Sequence, residues 1–394
     1  MSIDVNREAV IVSAVRTAIG KQGGALATVP AHVFGAEVIK EALKRANVAP
    51  EMVDDVIMGN VLSGGGNIAR LTALQTGLSM QLPGLTVDRQ CGSGINAINL
   101  AAQAIWSGDG DVYIAGGVES MSQAPHLMDR PEKPYGSSPP KFRKSLLSPK
   151  EVGNPPMGIT AENLVAKYEV SREEQDEFAI ASQQKMARAM EEERFAEQIV
   201  SVSIPVRKGE PVEFSVDEHP RPQVTKESLA KLPPAFLEGG SVTAGNSSGL
   251  NDAASALVIM SRERADELGI KPLAVIRAHA VAGVDPNIMG IGPVPAVRKV
   301  MEKSGLSLKD MDLIEINEAF ASQVIACNRE LEMDPAKVNV NGGAIAHGHP
   351  LGATGAILIT KATHELKRSE GRYALITACI GGGQGIATII EREG

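Results

Sequence analysis

Aromatic side chains are scarce in this 394-residue chain, which has one Trp, four Tyr and seven Phe. That scarcity argues against a stacking surface for nucleic acid, and it leaves the core to Val, Ile, Leu, Ala and Met. Positive charge is in deficit as well. Thirty-nine Lys and Arg against 47 Asp and Glu give a formal net charge of -8, without the basic footprint of a nucleic-acid binder. The one locally basic stretch, Arg130 to Lys150, holds six Lys or Arg; it reads as a solvated loop or as a landing place for an anionic ligand. There are only three cysteines, Cys91, Cys327 and Cys379. An odd number, widely spaced and without a Cys-x-x-Cys pair, fits neither a disulfide scaffold nor a zinc site. No apolar run approaches the roughly 20 residues of a membrane span. Met1 to Arg7 leads directly into the apolar Ala9 to Val12, with no secretory-signal pattern. The expected setting is the cytoplasm, with no membrane and no metal, and in a reducing compartment such cysteines are core filler or nucleophiles.

What remains is ordinary globular composition, 43% hydrophobic and 22% charged, with 40 glycines and length for two or more compact units. The chain also repeats itself. Shifted by 258 residues, Val38 to Met58 matches Ala296 to Ile316: Ile39 meets Val297, Leu43 meets Met301, Asp54 meets Asp312 and Val56 meets Ile314. Each copy reads as a helix leading into a strand. The same shift carries Cys91 onto His349 and Gly94 onto Gly352, and Tyr113 to Val118 resembles Leu375 to Ile380 at a shift of 262. That second shift sets Gly117 opposite Cys379. Two related α/β halves are the economical explanation, one formed by 1–118 with 249–271 and the other by 272–394. Between them, 119–248 reads as an insertion with Pro- and Lys-rich coil and a strongly helical stretch, Ser171 to Ile199, opened by a Ser171/Glu174 capping box. A further loop follows, from Arg207 to Gly240.

Four segments could carry chemistry. Leu82 to Val87 reads as a strand, and Ile95, Ile98, Ala101 and Ile105 recur at helical spacing, so Cys91-Gly92-Ser93-Gly94 lies at a sharp strand-to-helix turn. There a helix N-terminus favours a thiolate and free N–H groups can receive an oxyanion; a buried structural cysteine in a Gly-rich turn is the bland alternative. Asn339 to Gly355 places His347 and His349 in another Gly-rich turn, and an imidazole near a thiol is a common route to a nucleophile at neutral pH. Cys379 ends a strand, Tyr373 to Ala378, and precedes three glycines that match neither phosphate-loop fingerprint. Asn317-Glu318-Ala319-Phe320-Ala321 follows the strand Leu313 to Ile316, a common place for site residues in α/β sheets.

Together these segments resemble the thiolase family along nearly the whole chain. VDRQCGSG, NEAFA, GHP and CIGGGQG stand in the family's order, with MGITAEN (157–163), TAGNSSGLNDAA (243–254) and GIGPVPA (290–296) in support. The resemblance implies an α/β thiolase fold: two duplicated βαβαβαββ halves in α-β-α-β-α layers with an inserted loop domain. It implies that Cys91 takes the acyl group, that His349 accepts its proton, and that Asn317 positions a water at the first oxyanion hole. Cys379 would move the α-proton, and the N–H groups of Cys91 and Gly381 would form the second oxyanion hole. For coenzyme A it implies Ser248 on pantetheine, Ala319 and Phe320 along the tunnel, Met157 and Met289 at the acyl end, and Arg221 toward the nucleotide. Cys327 matches no family role and reads as helix core.

The expected activity is reversible Claisen condensation and thiolysis, an acetyl-CoA C-acetyltransferase forming or cleaving acetoacetyl-CoA. The alternative is a degradative 3-ketoacyl-CoA thiolase of fatty-acid β-oxidation with longer acyl chains. Acyl-CoA and CoA are the partners and substrates, with no separate cofactor, and the family's habit implies a homo-oligomer, dimer or tetramer. One departure bears on chain length: Pro156-Met157-Gly158 stands where biosynthetic members typically have His-Met-Gly. A β-ketoacyl synthase would share the fold, but it usually has a second histidine where Cys379 stands. An idle scaffold would not need all four site segments.

Overall fold

The computed structural model describes residues 4–63, 65–131, 139, 141–143 and 145–393; the basic stretch at 130–150 thus lies partly outside the described residues. The first half contributes β1 (Ala9–Thr17), α1 (Ala31–Ala46), β2 (Asp55–Gly59), α2 (Ile68–Thr76), β3 (Leu85–Val87), α3 (Ser93–Ser107) and β4 (Val112–Ser120). After an insertion carrying α4 (Met157–Tyr168) and α5 (Arg172–Glu191), the half closes with β5 (Asn251–Ser261). The second half runs β6 (Ala274–Gly283), α6 (Pro293–Ser304), β7 (Leu313–Ile316), α7 (Ala321–Leu331), α8 (Leu351–Ser369), β8 (Tyr373–Ile380) and β9 (Gln384–Arg392).

The duplication is visible in the hydrogen bonding. The first half orders its strands β1-β5-β4-β2-β3 and the second β6-β9-β8-β7. Where β3 would recur, Val338 alone bridges Ile314 in parallel. The halves meet edge to edge through two β1–β6 pairs, Val10 with Val275 and Ile11 with Ala274.

Alternation along the strands builds the layers. On β5, Ala254, Ala256, Val258 and Met260 face α1 and α2, whereas Leu257 and Ile259 join Ile95, Ile98 and Ile105 of α3 and Leu358, Ile359 and Leu366 of α8. On β8, Ala374, Ile376 and Ala378 join that same central cluster, while Leu375 packs with Val297 and Val300 of α6 and Val324 of α7. Helix pairs thus cover both outer faces, and α3 and α8 are shared between the sheets. No helix of the described residues is long and apolar enough to cross a membrane.

The repeat needs one correction. Asp55 pairs with Tyr113 and Leu313 with Ala374, so Tyr113 is equivalent to Ala374 at a shift of 261 residues rather than 262. Tyr113 and Ala374 both face the central layer, and a one-residue slip would turn every side chain of the strand over. Gly117 therefore corresponds to Ala378, not to Cys379. Two strand ends also differ from expectation. Only Leu85–Val87 of the run from Leu82 is strand, and β8 continues to Ile380, so that Cys379 pairs with Gly385 inside the ladder. The capping box at Ser171 and Glu174 forms as the sequence indicates, but the helix stops at Glu191 and a short strand, Ile199–Val200, follows.

Candidate active site

Cys91 sits on the turn between β3 and α3. Gln90, just before it, is held at φ 46°, a left-handed conformation that non-glycine residues rarely adopt. Asp88 Oδ1 accepts the Gln90 backbone N–H at 2.8 Å and its side-chain amide at 3.1 Å, which over-determines the bend. The Cys91 thiol lies against its own N–H and that of Gly381. Gly381 starts the tight β8–β9 connection, where Gly382 and Gly383 have φ of 83° and 81°.

Cys91 keeps part of its surface open, yet the protein packed around the thiol pushes its pKa up to about 11, with the two N–H groups opposing and Glu119 and Asp88 reinforcing the rise. Burial thus outweighs the helix N-terminus, contrary to the expectation of a resting thiolate. His349 is only 5% exposed, and burial lowers its pKa to about 4. The resting pair is neutral thiol and neutral imidazole. At about 1.36 kcal/mol per pKa unit, the thiolate–imidazolium pair lies on the order of 10 kcal/mol higher before mutual attraction. The thiol is therefore deprotonated during the reaction and not at rest.

The 258-residue equivalence that links Cys91 to His349 also links Gly59, at the end of β2, to Asn317, at the end of β7. Asn317 is fully buried. Its Nδ2 lies 3.3 Å from His349 Nε2, and its Oδ1 has no partner among the described residues. His349 Nδ1 lies 2.6 Å from Thr354 Oγ1, and its backbone N–H donates to Asn251 Oδ1 at 3.0 Å. Cys379 is buried, and burial followed by the charge of nearby Cys91 holds its thiol well above the ordinary value. Cys91, His349, Asn317, Cys379 and Gly381 thus come from four segments to one region.

Cys379 shares an apolar cluster with Met289, Ala319 and Phe320, with Met157 packed against it. Ser248 donates its N–H to Ala319 O at 3.0 Å, which ties the 243–254 segment to that wall. Arg221 stands apart: it is exposed and lines a small cavity with His219, Leu229 and Gly245. His347 is 1% exposed, and among the described residues its imidazole meets only Gly348 O. Cys327 is buried in α7 with its thiol on Gly290 O. A roomier cavity, about 370 Å³ between α5 and α7, lies behind Glu318 and is lined by neither reactive thiol.

Two family models cover the chain, the thiolase N-terminal domain over residues 9–263 and the thiolase C-terminal domain over residues 270–392. The chain belongs to the thiolase family. It is 48% identical to the acetyl-CoA acetyltransferase of Cupriavidus necator, across 98% of this chain and 100% of that one. The crystal structure of the Bacillus anthracis acetyl-CoA acetyltransferase matches with a TM-score of 0.94 at 46% identity, covering 98% of this chain and 99% of that chain. Human mitochondrial 3-ketoacyl-CoA thiolase in complex with CoA matches with a TM-score of 0.93 at 44% identity over 100% of both chains.

Several side chains of this thiolase site carry no signal in the sequence. Leu147, from the insertion, covers the Gly381–Gly382 turn: its Cδ1 is 3.0 Å from where a Gly381 Cβ would stand. Glu119 is fully buried and accepts the N–H groups of Val61, Leu62, Ser63 and Gly352 at 2.9–3.0 Å, clamping the start of α8 to the loop after β2. Nothing in the spacing of Glu119 or Thr354 could have pointed to them, because their roles depend on loops distant in sequence. Glu318, the acidic member of NEAFA, is 1% exposed and bound by Ser182, Asn339 and Ile345 N, so it braces the loop from behind.

Proposed function

We propose that the chain is an acetyl-CoA C-acetyltransferase that forms and thiolyses acetoacetyl-CoA through an acetyl group held on Cys91. One observation carries this reading: two thiols in different environments share one apolar site, and only Cys91 lies against two backbone N–H groups and is partly open. In the first transfer, the Cys91 S–H bond breaks as sulfur attacks the thioester carbon, and the proton passes to His349 Nε2. The CoA thiolate leaves and takes that proton, while Asn317, with its free Oδ1, orients a water on the first oxyanion. In the second, Cys379 acts as the thiolate, its own thiol proton having gone to solvent before the cycle, and removes the α-proton of an incoming acetyl-CoA. Its raised pKa makes its thiolate a stronger base for a weak carbon acid. The carbanion attacks acetyl-Cys91, the N–H groups of Cys91 and Gly381 hold the oxyanion, and the expelled Cys91 thiolate recovers the proton from Cys379.

Ser248, Ala319 and Phe320 would line pantetheine, Met157 and Met289 would bound the acyl group, and Arg221, exposed beside Ala244 and Gly245, would meet the nucleotide. Relatives named acetyl-CoA acetyltransferase at 47–48% identity support the short-chain reading. Pro156, where biosynthetic members typically have His, favours a second reading, the degradative enzyme with longer acyl chains. Thiolysis rates across 3-ketoacyl-CoA chain lengths separate the two. We further place the enzyme in the cytoplasm as a homo-oligomer, which light scattering tests.

The mechanism is tested by labelling. With radiolabelled acetyl-CoA, the Cys379→Ser variant should retain protein-bound label yet turn over about 10²–10⁴-fold more slowly, whereas Cys91→Ser should bind none. Label on the Cys91 variant would remove that residue from its role.

A further inference from the structure

We propose that Thr354 is a positioning residue that fixes His349 as the Nδ1–H tautomer and so leaves Nε2 bare to receive the Cys91 proton. The inference rests on the reading of His349 as the base. Thr354 Oγ1 lies 3.0 Å from Pro350 O, a carbonyl, which can only accept. With its single proton on that carbonyl, which also accepts the N–H groups of Ala353 and Thr354 at 2.9 and 2.8 Å, the hydroxyl at 2.6 Å from His349 Nδ1 offers a lone pair. Nδ1 then carries the hydrogen. The far side of the ring agrees, since Asn317 Nδ2, a donor, faces Nε2 at 3.3 Å.

The geometry is local and stiff. His349 directly precedes Pro350, the cap of α8, and Thr354 lies in the first turn of that helix, so base and orienting hydroxyl move together. The His349 backbone N–H on Asn251 Oδ1 prevents the ring's stem from turning away. A hydroxyl, unlike a carboxylate, holds the tautomer without adding charge, so a proton on Nε2 is readily passed on to the leaving CoA thiolate.

Two measurements test this. In protein labelled with ¹⁵N-histidine, the His349 ring should report Nδ1–H in the wild type, identified by the signal lost in His349→Asn. Cys91 alkylation by iodoacetamide and its acylation by acetyl-CoA should both slow by about 10- to 100-fold in Thr354→Val, because the orphaned buried Nδ1–H favours the wrong tautomer. Thr354→Ser should remain within about threefold of wild type. An Nε2–H signal in the wild type, a Val variant at wild-type rates, or a Ser variant as slow as Val would each overturn the proposal. If Val does not fold, the wild-type spectrum decides. The spectrum and the alkylation rate need no acyl-CoA, so a failure of the thiolase reading would show separately, as absent acylation in every variant.

Discussion

Behind the strand that presents Asn317 lies a buried ion pair whose removal has a computable consequence. Lys361 of α8 donates to Glu315 Oε2 at 2.9 Å and to Gly342 O at 2.7 Å, with side chains 1% and 0% exposed. Glu315 Oε1 has no partner among the described residues, and burial raises the Glu315 pKa from its ordinary 4.5 while Lys361 lowers it. In Lys361→Met the carboxylate loses its counter-charge and takes up a proton instead. At pH 7 that neutralisation costs at most about 3.4 kcal/mol, at about 1.36 kcal/mol per pH unit above 4.5. The lost bond to Gly342 O adds about 1 kcal/mol. At pH 5.5 the protonation cost falls to about 1.4 kcal/mol. The sign is fixed by linkage: the folded variant binds a proton that its unfolded chain does not, so its stability falls as pH rises above 4.5. Urea denaturation at fixed protein concentration should therefore show a loss of about 3–4 kcal/mol at pH 7 and about 2 kcal/mol less at pH 5.5. An equal loss at both pH values would mean that Glu315 already carries a proton in the native protein, and the ion-pair reasoning would fail.

Gly381→Ala should fold normally, because its Cβ would meet the flexible side chains of Leu147, Met157 and Gln90, at 3.0, 3.6 and 3.9 Å. It should slow thiolysis of longer acyl chains at least about tenfold more than that of acetoacetyl-CoA. Gly382→Ala, at φ +83° and 2.7 Å from Leu147 O, should instead destabilise the fold by about 1–2 kcal/mol, visible as a lower denaturation midpoint. His349, neutral in the fold with its pKa near 4, contributes stability that is present above pH 6.5 and lost between 6.5 and 4, by up to about 3.4 kcal/mol. His349→Asn should flatten that part of the pH–stability curve, and an unchanged curve would place the acid sensitivity elsewhere.

Much of this was legible beforehand because it rests on local pattern. Helical spacing at Ile95, Ile98 and Ile105, the turn glycines beside Cys91 and Cys379, and the capping box at Ser171 each report on a few neighbouring residues. Register was the first thing to escape. A shift of 261 and one of 262 match the apolar residues of Tyr113–Val118 about equally well, and only pairing and facing distinguish them. Electrostatics escaped next. A cysteine ahead of a helix reads as an activated thiolate, but burial by the folded protein, reinforced by Glu119 and Asp88, reverses the sign. Thr354, Glu119 and Leu147 escaped for the same reason.

The duplication itself explains why the nucleophile and the base stand at matching points of two packed helices. Cys91 stands three residues ahead of Gly94, and His349 three ahead of Gly352, at equivalent points of α3 and α8. The two helices cross in the central layer almost backbone to backbone. A Cβ on Gly94 would lie 2.6 Å from Ala356 N and 3.0 Å from Gly352 O, and one on Gly355 would lie 2.4 Å from Ile95 N. None of these contacts can yield by turning a side chain. Gly94→Ala must push the helices apart by somewhat under about 1 Å to reach ordinary contact. The stability cost of such overpacking, about 1–3 kcal/mol, is partly offset by the helix preference for Ala over Gly, about 1 kcal/mol. The catalytic cost is not offset, because a misplacement near 1 Å between reacting groups reduces rate by about 10². Gly94→Ala should therefore denature within about 2 kcal/mol of wild type and yet acylate Cys91 about 100-fold more slowly. Acylation at the wild-type rate in a folded Gly94→Ala variant would show that the crossing of α3 and α8 does not set the distance between Cys91 and His349.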